Sequence, residues 1–135
     1  TEPEELTNAL MAHTSDERLY AYENPGKYAV SQAVGGFDVF RNAGKAISKM
    51  TSDKNPAGKP ISNSRKKKVV AYINDLDMDY GQKILLYRSE YTTDDRYNRD
   101  IVEYLNSRDD ISAAEMRTIL EALNFKVSED GKISW

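Results

Sequence analysis

Arg41, Lys45 and Lys49 recur at four-residue spacing, and Arg65, Lys66, Lys67 and Lys68 follow as an uninterrupted run. On a helix the first three share a face, so both sets could present positive charge to phosphates or carboxylates. Residues 41–68 hold nine basic side chains and one acidic, Asp53, whereas 1–40 and 69–135 carry net charges of −5 and −6. The overall charge of −3 conceals a basic middle between acidic flanks, either a binding surface or one neutralised within the molecule. These seven cations are the candidate partner-binding residues. Phosphate contact would make binding salt-sensitive with little sequence readout. Because the aromatics lie mostly outside this segment, a stacking platform for single strands is not indicated.

Other constellations have plainer explanations. Asp75, Asp77 and Asp79 alternate ahead of Gly81, the pattern of oxygen ligands in a calcium loop. The glycine falls one residue late, however, and Leu86 occupies the place of the bidentate Glu. A turn between helices, with Asp77 or Asp79 as a cap, accounts for the same residues. In the closing SEDGKISW, Lys126 and Ser128 stand where acidic ligands would be needed, and a hairpin turn fits better. His13 is the single histidine and cysteine is absent, so one chain cannot assemble a Ser-His-Asp relay, a Cys-His pair or a zinc-type His cluster. The pairs Asp94-Asp95 and Asp109-Asp110 both precede expected helices, where capping and the helix dipole favour them. Gly35-Gly36 lacks the strand context of a nucleotide loop. The expectation is a protein that is not an enzyme, with no catalytic, cofactor-binding or metal-ligating residues.

The elements that must position the cations follow from hydrophobic periodicity. Tyr80, Ile84, Tyr87 and Tyr91 make one helical stripe within Asp79 to Tyr91, and Leu85 and Leu86 lie to either side of it. A helix apolar on more than one side belongs at the centre of a small bundle. Thr1 to Ser15 reads as a helix start with Leu6, Ala9, Leu10 and His13 on one face; Asn24-Pro25-Gly26 then breaks the chain. Lys27 to Met50 is helical again, bent at Gly35-Gly36, with Phe37, Phe40, Ile47 and Met50 opposite the basic stripe. Ser64 can cap a helix carrying Val69, Tyr72, Ile73 and Leu76, and a turn over 74–79 leads to the central helix. Thr93 or Asp94 caps a further helix to about Asn106, with Tyr97, Ile101, Tyr104 and Leu105 inward. Ser112 and Glu115 form a capping box, flanked by the staple pair Ile111 and Met116. Met116, Ile119, Leu120 and Leu123 are the buried face, Asn124 is a left-handed stop, and Phe125 to Trp135 is a hairpin turning at Asp130-Gly131.

The expected fold is mainly α, a bundle of about five or six helices with a short C-terminal β-hairpin. It comprises an N-terminal helical arm (1–50), a linker (51–63) rich in Pro, Ser and Asn, and a compact module (64–135). Whether the arm packs on the module is left open. With 135 residues and thirteen aromatics, nine of them Tyr, the chain can bury a core without disulfides. No apolar run nears the roughly 18 to 20 residues of a membrane span, and no signal peptide opens the chain, so a soluble protein without membrane contact is expected. The first residue, Thr1, suggests a processed chain or an excised piece of something longer.

The pieces YINDLDMDYGQKILLYRSEY, YNRDIVEYLNSRDDIS and DGKISW together span about half the chain, and a looser KYAVSQAVGG extends them upstream. They resemble C-terminal segments of large phage and integrated-element proteins of Gram-positive gut bacteria, including tape-measure-like and polyvalent virion proteins. That resemblance implies a virion or bacterial cytoplasmic setting and a structural or interaction role, with no site residues attached to it. The first expectation is therefore a non-enzymatic interaction or assembly module with a phage or host protein partner. The alternatives are a nucleic-acid-binding module using 41–68, or a small phage-encoded inhibitor of a host protein.

Overall fold

Proline and paired glycines set the first boundaries. Pro25 opens a helix where it has no intrahelical amide bond to lose, and Gly35 and Gly36 close it with φ of 130° and 117°, a region that side chains with a Cβ avoid. The expected single bent helix over Lys27 to Met50 is thus two helices. The structure, a computed structural model, describes residues 15–52, 63–90 and 94–135. Among these are α1 (15–23), α2 (Pro25–Val34), α3 (Phe37–Ser52), α4 (Asn63–Asn74) and α5 (Tyr80–Glu90). A 3-10 turn (Asp95–Tyr97), α6 (Asn98–Ser107), α7 (Ala113–Ala122), β1 (Lys126–Val127) and β2 (Ile133–Ser134) complete them. The protein is mainly α with a C-terminal antiparallel hairpin, as expected, and the glycine break contributes to a count of seven α-helices among the described residues. Residues 1–14 of the expected N-terminal helix, with His13, as well as Tyr91, Thr93 and most of the linker, lie outside the described residues.

Several local signals produce the expected geometry. Ser112 and Glu115 exchange both bonds of the capping box. Asn124 ends α7 with φ of 69°. Asp79 accepts from the Gln82 amide at 2.8 Å while Gln82 Oε1 accepts from the Asp79 amide at 3.1 Å, so the last residue of the aspartate series is a helix cap. In the hairpin Lys126 pairs with Ser134 and Val127 with Ile133. Two-stranded ribbons are marginal alone; here Arg117 on α7 donates to the carbonyls of Val127 (3.1 Å) and Ser128 (2.7 Å) and clamps β1 to the helix. Phe125 is buried, whereas Trp135 stands edge-on to it at 5.8 Å and stays exposed, so only one of the hairpin's aromatic ends packs into the core.

Other expectations shift. Ser64 lies inside the first turn of α4, which begins at Asn63. Thr51 continues α3 past the expected start of the linker, its hydroxyl donating to Ile47 O at 3.0 Å. Asp94 caps the 3-10 turn rather than α6 directly, and Asp110 is drawn into an ion pair with Arg108 instead of capping α7, whose cap is Ser112.

One hydrophobic core runs from α2 to Phe125. α5 is at its centre: Ile84, Leu85 and Leu86 are consecutive and all buried, which a helix packed on one side cannot achieve. Its neighbours are α2, α4 and α6. α2 lies against both α5 and α7 and sends Val30 and Val34 into the centre, so the described part of the N-terminal half folds back on the C-terminal half. Arg108, at the end of α6, locks this arrangement by donating to Ala33 O at 2.6 Å across the chain.

Candidate basic interface

The amphipathic α3 determines where its cations point. Phe40, Ala43 and Ile47 are buried, and the same periodicity leaves Arg41, Lys45 and Lys49 exposed on the opposite side. These three line a groove of about 480 Å³ with Tyr20 of α1, Lys27 of α2 and Glu90 of α5. The Arg41 guanidinium lies over the Tyr20 ring at 5.1 Å and the Phe37 ring at 5.8 Å, which holds it in place while leaving its edge open. Glu90 is the groove's one carboxylate; burial pushes its pKa up, and Lys27 opposes that shift.

The second set of cations is divided. Arg65 turns inward to donate to Thr51 O at 3.1 Å and ties α4 to the end of α3, an internal tether that the expected binding role overlooked. Lys66 and Lys67 line a separate groove of about 550 Å³ with Val70, Asn74, Tyr87 and Arg96, and Lys68 is exposed outside both grooves. Lys66, Lys67 and Lys68 form no ion pair among the described residues. The cations of the basic middle segment therefore divide between two grooves that share no lining residue. Lys27, Glu90, Tyr20, Tyr87 and Arg96 complete these grooves, and spacing marks none of them as a site residue because they come from helices or turns distant along the chain from the cations.

Tyr87, in the lining of the second groove, and Tyr80 each bond an aspartate. Tyr87 OH donates to Asp94 Oδ2 at 2.6 Å and Tyr80 OH to Asp100 Oδ2 at 2.6 Å. Each phenol is pushed up to about 12, Tyr87 by burial and then the Asp94 bond, Tyr80 chiefly by the Asp100 bond. Burial alone would raise Asp94, but bonds from Arg96 and Tyr87 prevail and hold it at about 2. A raised phenol stabilises the fold fully below its unfolded pKa of about 10 and loses that contribution as pH rises through about 12. A depressed carboxyl contributes above about 3.9 and loses its share as pH falls through about 2. In an ultraviolet-monitored alkaline titration, Tyr80 and Tyr87 should ionise last. Tyr87→Phe should remove one late phenol; a titration in which all tyrosines ionise together near 10 would contradict this.

Among the described residues no group of three or more His, Cys, Asp and Glu side chains is placed to hold a metal, and no helix is long and apolar enough to cross a membrane. No protein-family model, curated protein or solved structure was found to match this chain.

Proposed function

We propose that this chain is a non-enzymatic interaction module of phage or mobile-element origin that binds an acidic segment of a protein partner through its basic surface. The resemblance of its C-terminal half to large phage proteins supports the setting. One observation carries the choice of partner: Glu90 sits among Lys27, Arg41, Lys45 and Lys49. A phosphate backbone tracking this groove would meet a like charge that it cannot satisfy. A polypeptide offers carboxylates to the cations and amide or ammonium donors to Glu90, and so matches both signs. Tyr20 is engaged by Phe37 and Arg41, so its ring is not a free platform for a base.

The test is anisotropy of a labelled poly-glutamate peptide and of labelled duplex DNA at about 50 and 200 mM salt, where charge-dominated contacts weaken steeply. The expected result is peptide binding that salt reduces and that Arg41→Glu, Lys45→Glu and Lys49→Glu together weaken severalfold. Tight, salt-steep DNA binding with none to the peptide, lost in Lys66→Glu, Lys67→Glu and Lys68→Glu together, would replace this reading with a nucleic-acid-binding one.

A further inference from the structure

Between α4, α5 and the 3-10 turn lies a small apolar slot of about 60 Å³, bordered by Val70, Ile73, Ile84, Tyr87 and Tyr97. Val70, Asn74 and Tyr87 line both this slot and the larger groove that carries Lys66 and Lys67, so the slot adjoins a basic shelf. Tyr97 meets Tyr87 edge-on at 5.5 Å, and Lys83 donates to Asn74 O at 2.6 Å, so these walls are held in place. Arg96 on the shelf is already matched by Asp94 at 2.8 Å, which leaves Lys66 and Lys67 as the charges without an ion pair among the described residues. Among the described residues neither lining includes an acidic side chain, and the nearby Asp94 and Asp100 are engaged by Tyr87, Arg96 and Tyr80.

The size of the slot selects its occupant. The slot is small, about 60 Å³, and walled mainly by apolar side chains, which suits a branched aliphatic side chain such as Leu or Ile. The adjoining charge selects the flanks, since carboxylates beside such an anchor would reach Lys66 and Lys67.

We infer that this slot seats one aliphatic side chain of an acidic peptide segment, with flanking carboxylates on Lys66 and Lys67. The inference rests on the acidic-partner reading and adds to it a second contact, on a surface that shares no lining residue with the Arg41 groove. It would make binding depend on apolar contact as well as on charge, and the partner segment would alternate acidic residues with a Leu or Ile anchor.

Three labelled peptides of glutamate and glycine, differing only in a central Leu, Gly or Trp, test it against the whole chain. The Leu peptide should bind roughly tenfold or more tighter than its Gly twin, the value of burying one aliphatic side chain. The Trp peptide should gain less than the Leu peptide. Val70→Glu should erase the Leu advantage, and Lys67→Glu should weaken all three alike. Equal, salt-sensitive binding of the Leu and Gly peptides would overturn the slot and leave the acidic-partner reading standing; no binding of any peptide at low salt would overturn both. Should Val70→Glu lose helix content by circular dichroism, the Leu-against-Gly comparison on the unaltered chain still decides. A dimer in sedimentation that Val70→Glu dissociates would assign the slot to a second copy and overturn the peptide as its occupant.

Discussion

Arg88→Met is expected to lower the unfolding free energy by about 3 kcal/mol, the scale for orphaning several buried polar groups at once. Arg88 is on the innermost helix and only 3% exposed. Its guanidinium donates to Leu123 O at 3.0 Å, Asp94 O at 3.0 Å and Asn98 Oδ1 at 2.6 Å, and lies over the Phe125 ring at 4.8 Å. One side chain thus satisfies the end of α7, the start of the 3-10 turn and the fully buried Asn98 at the start of α6. The ion pair with Asp95, at 3.6 Å with the carboxylate 70% exposed, is a minor share because solvent screens it. Methionine fills similar space and relieves the cost of burying a charge, but leaves all three oxygens without this donor. Arg88→Lys should restore only part of the loss, since an ammonium cannot spread three bonds in a planar fork. Urea midpoints at constant slope measure the effect, and a loss below about 1 kcal/mol for Arg88→Met would show that neighbouring groups or water replace the donor.

Gly81→Ala should destabilise by about 2 kcal/mol through overpacking, against a helix preference that favours Ala by about 1 kcal/mol. A Cβ at Gly81 would fall 2.1 to 2.3 Å from three ring atoms of Tyr104, far inside van der Waals contact. The ring cannot yield freely: Arg108 lies over it at 5.6 Å, and its hydroxyl reaches Asp79 at 3.5 Å. Gly81 is therefore where the Tyr104 ring of α6 lies directly against the α5 backbone. Tyr104→Ala should remove the clash, so the double substitution should cost clearly less than the two single losses combined. Thermal unfolding of the four proteins decides it; a stabilised Gly81→Ala would mean that the ring moves aside without penalty.

These two residues mark the limit of what periodicity reveals. Arg88 is four residues after Ile84 and so falls on an apolar face by spacing, yet a charged residue there reads as a helix-end cation until its acceptors are known. Gly81 reads as a weak point in a helix until Tyr104 arrives from another element. The Ser112–Glu115 capping box, the Asn124 stop, the hairpin and the multi-sided apolar surface of α5 were all legible, because each depends on residues within a few positions of one another and on chain stereochemistry.

The candidate interface divides in the same way. Local spacing alone determined that Arg41, Lys45 and Lys49 share an exposed face, since amphipathic periodicity puts Phe40 and Ile47 on the other side. Only the tertiary structure decided that Glu90 and Lys27 join them, that Arg65 turns to Thr51, and that Lys66 and Lys67 open onto a different groove beside an apolar slot. Those placements come from how α2, α4 and α5 pack around a common core. The packing is settled by shape and burial among residues far apart in the chain, and no window of neighbouring residues encodes it.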